Sequence, residues 1–408
     1  MTATPLAATR ATFYVPGFEV EINGRPAHRG LVRDITEVTY EDSLDTIDSF
    51  TLVLNNHDTD RGLPQFVGQG APEEAWAQVQ PGNGLRLSLG YQGDLRLMLI
   101  GYITRLDVEF PESGASRLTI GGLNVLDRFR DRQYTWAWPY QGTTPIRDSD
   151  IARDLGQTPG SPDGHPGLAG LQRIVVDDAA RQREQPREHV FMNNQFPIVF
   201  LLQLARRNGY EIVLQFVDGQ PQLYFGPSQD IRDITYLLEW GKTLTSLKAS
   251  VSSARQVKKL TVVGWNRDTH RPVRGEATVD SEGVILDDRV RALARATGRE
   301  EVVTDYSVTT DAAAAQLARQ RLTRHASRLV EVEGSVVGLP DLRAGRTVQL
   351  GRLGPHLDGS YLITSTRHVL NDSGYRTTFR ARLEGAASGA GTPPATSPAA
   401  SSTSGGGR

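Results

Sequence analysis

The stretch GLPDLRAGRTVQLGRLGPHLDGSYLITSTRHVLNDSGYRTTFRARLE, residues 338–384, decides the fold class. Short alternations of apolar and polar residues are broken by Gly and Pro at regular intervals, the pattern of strands joined by turns. YLITSTRHVL and YRTTFRARLE each read as one strand. Two His, several Arg and several Asp are scattered through the stretch without any catalytic arrangement. It is well patterned and carries no visible chemistry.

The same pattern runs through the other end of the chain. In GFEVEINGRPA, Phe18, Val20 and Ile22 alternate with charged residues and then meet Asn23 and Gly24, a hairpin-type turn. Phe50, Leu52 and Leu54 alternate in DSFTLVLNN, as do Leu85, Leu87, Leu89 and Tyr91, then Leu95, Leu97 and Leu99, then Leu118 and Ile120. Strands at this density predict a small antiparallel barrel or sandwich over residues 12–130. Residues 55–84 interrupt it with a long unpatterned insertion whose helical hint is APEEAWAQV, with Pro72 at the first helical position. A loop of that length predicts contact with a partner.

The middle of the chain, residues 131–230, reads as a small α/β module. SDIARDL predicts a short helix capped by Ser149 or Asp150. FPIVFLLQLARRNG is the clearest helix: Pro197 suits the first turn, and Ile198, Leu201, Leu202 and Ala205 share a face. Arg206 and Arg207 suit the last turn, and Gly209 ends it. A hairpin turning at Asp218 and Gly219 follows. From residue 231 the strand pattern returns, through KKLTVVGW and the opening stretch, and predicts a second β-domain over 231–385. A helix near 311–329 interrupts that domain, capped by Asp311, with Ala315, Leu317, Ala318 and Leu322 inward. Residues 386–408, of Ala, Ser, Gly, Thr and Pro with one Arg, predict a flexible tail. The fold class is therefore mainly β: two antiparallel β-domains, an α/β insert and a tail.

A chain of 408 residues with 38% apolar and 23% charged residues is globular over most of its length. Its net charge of −2, from 45 Lys+Arg against 47 Asp+Glu, lacks the basic surplus of a nucleic-acid-binding protein. There is no Cys, which removes disulfides, thiolate nucleophiles and Cys-based metal sites, and fits a reducing compartment. The start of the chain predicts no signal peptide, and no stretch reaches the roughly 20 apolar residues that span a bilayer. A chain that is soluble when made, without insertion into a membrane, is the expectation.

Residues with potential chemistry do not assemble in the sequence. WGKT at residues 240–243 lacks the Gly of a phosphate loop, since Tyr236 stands in its place. None of His28, His57, His165, His189, His270, His325, His356 and His368 is paired at helical metal-site spacing. His57 lies near Asp58 and Asp60 in a segment that reads as a solvated loop, and His368 reads as a packing or interface residue. Adjacent carboxylates at Asp177 and Asp178, and at Glu73 and Glu74, point in different directions on either a strand or a helix. Trp136 and Trp138 alternate as strand residues do and predict burial or an interface. No catalytic, cofactor-binding or metal-binding residue is expected, and the chain reads as a building block.

The segment from Pro81 to Phe129, PGNGLRLSLGYQGDLRLMLIGYITRLDVEFPESGASRLTIGGLNVLDRF, resembles the end of the first barrel in the phage late control gene D family. That family forms the hub of contractile tails and is related to the N-terminal part of VgrG proteins. Asn124 stands where the family often has Asp. SDIARDL and NNQFPIVFLLQLARRNGYEIVLQFVDGQPQLYFGP are similar to its next two motifs, with Phe196 and Pro197 where Ser-Asp is usual. The closing motif matches through Pro340, Leu342, Gly345, Gly359, Tyr361, His368, Gly374, Tyr375 and Phe379, so the resemblance spans residues 12 to 384. It implies two tube-like β-barrels per chain and a homotrimer whose six barrels form a pseudo-sixfold ring. That ring would join a hexameric tail tube protein to a separate spike protein among other baseplate components, in a phage tail or an injection particle. The same barrels occur in hubs of non-contractile tails, and a baseplate-associated cell-wall hydrolase is the enzymatic alternative.

Overall fold

The computed structural model describes residues 4–5, 15–139, 145–157, 165–167, 173–227, 236–253, 256–266, 268–284, 286–305 and 308–384. The expected tail at 386–408 lies outside these residues. In chain order the first region holds β1 (Thr4–Pro5), β2 (Pro16–Ile22), β3 (Arg25–Pro26), α1 (Arg29–Asp34), β4 (Ile35–Ser43) and β5 (Ser49–Asn55). It continues with β6 (His57–Asp58), β7 (Leu63–Pro64), α2 (Glu73–Val79), β8 (Gly84–Tyr91), β9 (Asp94–Glu109) and β10 (Arg117–Asn124). Asn23 and Gly24 make the β2–β3 turn with φ of 51° and 75°, as the sequence predicts.

Six of these strands form one antiparallel sheet in the order β2–β8–β9–β10–β5–β4. Val20, Tyr40, Phe50, Leu52, Leu87, Leu99 and Ile120, from all six, are buried in a single core. The sheet therefore curls on itself, and each large apolar side chain removed from water contributes roughly 1.5–3 kcal/mol. Leu95 and Leu97 depart from the expected alternation: Leu95 is exposed while Met98 and Leu99 are both buried. A register shift opposite Leu87 and Ser88 inserts Met98 as an extra residue and turns the strand over. The insertion at 55–84 is also part of this core, through Phe66 and Val79. The Asn56 side chain holds it in place by accepting from the Phe66 and Val67 N–H groups and donating to the Val67 carbonyl. Pro72 stands at the cap of α2, one residue before the helix.

The middle region comprises β11 (Tyr134–Trp138), α3 (Asp148–Gln157), β12 (Arg173–Val176), α4 (Asp178–Arg183), β13 (Val190–Gln195), α5 (Pro197–Asn208), β14 (Glu211–Val217) and β15 (Gln220–Gly226). β11 pairs with β13, and β12, β15 and β14 form a second small sheet over its own core. α3 starts earlier than expected, so Ser149 and Asp150 lie within it and not at its cap. α5 runs from Pro197 as expected, buries Ile198, Leu201 and Ala205 with Leu204 while Leu202 is only half-buried, and ends at Gly209 in the left-handed region with φ of 70°.

The last region holds β16 (Tyr236–Glu239), β17 (Leu244–Val251), β18 (Val257–Asn266), β19 (Arg271–Thr278), α6 (Asp288–Thr297), β20 (Arg299–Thr304), α7 (Asp311–Ala326), β21 (Val330–Val337), β22 (Thr347–Gly351), β23 (Gly359–Asn371) and β24 (Gly374–Leu383). KKLTVVGW is not a strand of the large sheet. It forms β18, between β19 and β20 in a three-stranded sheet covered by α7. The α7 cap is Thr310, whose hydroxyl accepts from the Ala313 N–H, while Asp311 instead accepts from the Arg274 N–H. Its buried stripe is Ala314, Ala318, Leu322 and Ala326, one residue round from the predicted face at Ala315.

The other six strands run in the order β16–β22–β23–β24–β21–β17. Numbered one to six along the chain, the strands of both sheets follow the same spatial order, 1-4-5-6-3-2. The two sheets differ in one pairing, since β16 lies parallel to β22 where β2 lies antiparallel to β8. The duplication leaves no repeat in the residues, because any suitably alternating sequence can occupy the same place in a sheet.

Candidate functional site

The two sheets are joined by strand pairing. β23 is 13 residues long. Its first part pairs with β22, and residues 365–371 then pair with residues 43–37 of β4, against β24 throughout. Along this seam His368 stands opposite Tyr40, and Thr366 opposite Asp42.

The seam carries a buried polar network. Asp42 accepts from the Thr366 and Ala344 N–H groups, each at 3.1 Å, from the Thr366 hydroxyl, and from Arg343 Nε at 2.8 Å. Arg343 also donates to the Met98 carbonyl at 3.1 Å and to the Tyr40 hydroxyl. Burial works against its charge, but Tyr40, Asp42 and Asp48 outweigh that and hold its pKa above the ordinary value. Asp48, half-buried, accepts from the Asn124 amide at 2.9 Å and from Tyr40 at 3.4 Å. Desolvation, with Asp42 nearby, raises its carboxyl to about 7.

His368 is fully buried. Its Nε2 faces the Leu342 carbonyl at 3.1 Å, which can only accept, so Nε2 carries the proton. Nδ1 then accepts from the Tyr375 and Thr377 hydroxyls at 2.9 and 3.0 Å. Desolvation lowers its pKa to about 4. The imidazole is a neutral packing element between the two sheets, the role its sequence context suggests. Tyr91 crosses from the first sheet to donate to the Gly338 carbonyl at 3.0 Å.

The remaining candidates stay apart. WGKT is the turn between β16 and β17, where Lys242 pairs with Glu239 and the Glu239 N–H donates to Thr243. Asp58 accepts from the Asp60 and Arg61 N–H groups in a local turn. Asp177 caps α4, and Glu73 and Glu74 lie in the first turn of α2. Trp138 stacks on Phe200 with ring centroids 5.4 Å apart and donates to Asp154, which His165 also contacts at 2.8 Å. Among the described residues no three His, Asp or Glu side chains could hold a metal ion, and no helix is long and apolar enough to cross a membrane.

One cleft of about 820 Å³ opens beside the seam, bounded by the 42–48 loop, Leu95, Leu202, Leu214 and Arg346. It separates the α/β insert from both sheets. Arg382 of β24 pairs with Glu211 of β14 at 2.8 Å and ties the insert to the second sheet. The seam sets the Thr366 and Thr377 hydroxyls 3.1 and 3.0 Å from the His368 ring nitrogens, and all three side chains are buried. Sequence reasoning missed Asp42, Asp48 and Arg343, which lie in unremarkable contexts and meet only through the fold.

Solved structures share this architecture. The 43 kDa tail protein of prophage MuSo2 from Shewanella oneidensis matches with a TM-score of 0.63 at 15% identity, over 90% of this chain and 98% of that one. A tail protein from Neisseria meningitidis MC58 matches with a TM-score of 0.60 at 13% identity, over 90% and 97%. The fold is that of phage tail proteins. The E. coli c3393 protein, a component of the type VI secretion system, matches with a TM-score of 0.53 at 12% identity, over 93% of this chain and 80% of that one. No curated protein matches the sequence. The Alg8 N-terminal domain family matches residues 200–372, less than half of the chain. That span begins inside α5 and stops between β23 and β24, cutting through two folded units.

Proposed function

We propose that the chain is a structural baseplate hub of a phage tail or phage-tail-like injection particle. Three copies form a ring of six barrels that adapts a hexameric tail tube to a trimeric spike. The observation that carries this reading is the repeated strand order, 1-4-5-6-3-2, in one chain. Two copies of one sheet per subunit let a threefold assembly offer six equivalent positions to a sixfold partner. The seam supports the reading as a rigid joint: its charged groups are occupied with each other and position two sheets. The tail and secretion proteins that share the fold are consistent with a role in assembly.

The test is the mass of the purified chain by light scattering, alone and with its tube and spike proteins. A species near three times 44.7 kDa, alone or on mixing, is the expected result. A stable twofold dimer would overturn the reading, because it cannot close six barrels around one axis.

A further inference from the structure

Two of the strand edges that lack a ladder partner among the described residues correspond to each other through the duplicated order. One is β9 beyond Ile103, on the side that faces β8 earlier in the strand. The other is the side of β17 away from β21. In the duplicated order β9 is a fifth strand and β17 a second strand. The paired equivalents are β23, the fifth strand of its sheet, and β4, the second strand of the other, which together form the seam.

Local geometry fixes the equivalence residue by residue. Ile363 donates to the Arg346 carbonyl and accepts from the Gly345 N–H, both at 2.9 Å, just before β23 meets β4. Ile103 donates to the Asn83 carbonyl at 2.9 Å and accepts from the Gly82 N–H at 2.7 Å. Both glycines have positive φ, 84° and 95°. One residue later each fifth strand has a register shift against its sixth, at Thr364 and at Thr104. The second strands match as well, with shifts at Thr36 in β4 and Thr245 in β17.

We propose that the open edge of β9 pairs antiparallel with β17 of a second copy of this chain, in the register of the internal seam. Carrying the seam register over by these matched shifts sets Glu109 opposite Lys248 of the partner subunit. It also sets Leu106 opposite Val251 of the partner subunit, and Phe110 opposite Leu247 of the partner subunit. The side chains fit this register. Glu109 and Lys248 bear opposite charge, and neither has an ion pair among the described residues. Phe110 and Val251 are 61% and 57% exposed in the single chain, and the pairing covers both. Unpaired sheet edges with exposed apolar residues are sites of strand addition. The contact is head-to-tail, so each copy offers one edge of each kind and the ladder continues around a ring.

This inference rests on the ring reading, and the experiment separates the two. The chain has no Cys, so Glu109→Cys with Lys248→Cys introduces the sole thiols. Directly opposed residues have Cα atoms about 4.5–5.5 Å apart, within disulfide range. Oxidation should give covalent species up to three copies on a non-reducing gel. Glu109→Lys should lower the ring fraction at fixed concentration on the order of ten-fold, since like charges then face each other at every junction between copies. Adding Lys248→Glu should restore it. A trimer that neither cross-links nor responds to charge reversal overturns the strand pairing and leaves the ring. A chain that stays monomeric with tube and spike present, and does not cross-link, overturns both.

Discussion

Arg343 Nε lies 2.8 Å from Asp42 Oδ2, a pair separated by 301 positions in sequence and joined across the β4–β23 seam. The Asp42 side chain is buried, 5% exposed, and that of Arg343 is mostly so, 13% exposed. Each offsets the other's burial, and Asp42 also accepts from the Thr366 and Ala344 amides. The joint between the sheets is therefore polar and directional, where a purely apolar contact would allow sliding.

Arg343→Met should destabilise the protein by about 3–5 kcal/mol, because it leaves the Asp42 carboxylate buried without its cation. Urea denaturation measures this. A loss below about 1 kcal/mol would mean that the joint does not depend on the pair.

His368 and Asp48 should make opposite contributions to stability with pH. The neutral imidazole of His368, with its pKa lowered to about 4, stabilises the fold fully above the unfolded value of 6.5. That contribution is lost as pH falls from 6.5 to about 4 and amounts to about 3 kcal/mol. Asp48, raised to about 7, contributes fully below 3.8 and loses its contribution as pH rises to 7. Between pH 4 and 6.5 the two slopes oppose, so Asp48→Asn should expose a steep rise in stability with pH. His368→Gln should expose a fall. Denaturant midpoints across pH 4–8 for the two variants check the signs, and parallel profiles would refute the assignment.

Phe66→Ala should cost about 3 kcal/mol, since the insertion fills the first core and is not a detachable loop. Deleting residues 60–80, which removes both Phe66 and Val79 from that core, should then unfold the first sheet. Circular dichroism and thermal melting of both variants decide the matter.

Gly338→Ala places a Cβ 2.1 Å from the Tyr375 ring, which hydrogen-bonds His368. Moving that ring should cost about 1–3 kcal/mol. A lower melting temperature and a changed near-UV tyrosine signal are expected.

Several features were legible because they are local. The inward faces of β5 and β8 follow from strict alternation at Phe50, Leu52 and Leu54 and at Leu85, Leu87 and Leu89. α5 announces itself by Pro197 at one end and Gly209 at the other. Where the alternation slipped, at Leu95 and Leu97, a single inserted residue was responsible, and an insertion of that kind shows only against the neighbouring strand. For α7, a neighbouring strand took Asp311 away from the cap.

From its sequence alone the chain determined that it is built of strands, where they turn, and which side chains face inward, since these depend on neighbours two to four residues away. Which strand lies beside which was decided only by tertiary structure. The repeated 1-4-5-6-3-2 order sets the first strand of each sheet beside the fourth and the third beside the sixth, and the seam of β4 with β23 and the meeting of Asp42 with Arg343 and Thr366 join residues about 300 positions apart. A strand offers the same hydrogen-bonding edge to every candidate partner. The choice among them rests on register and on the core that the whole sheet encloses.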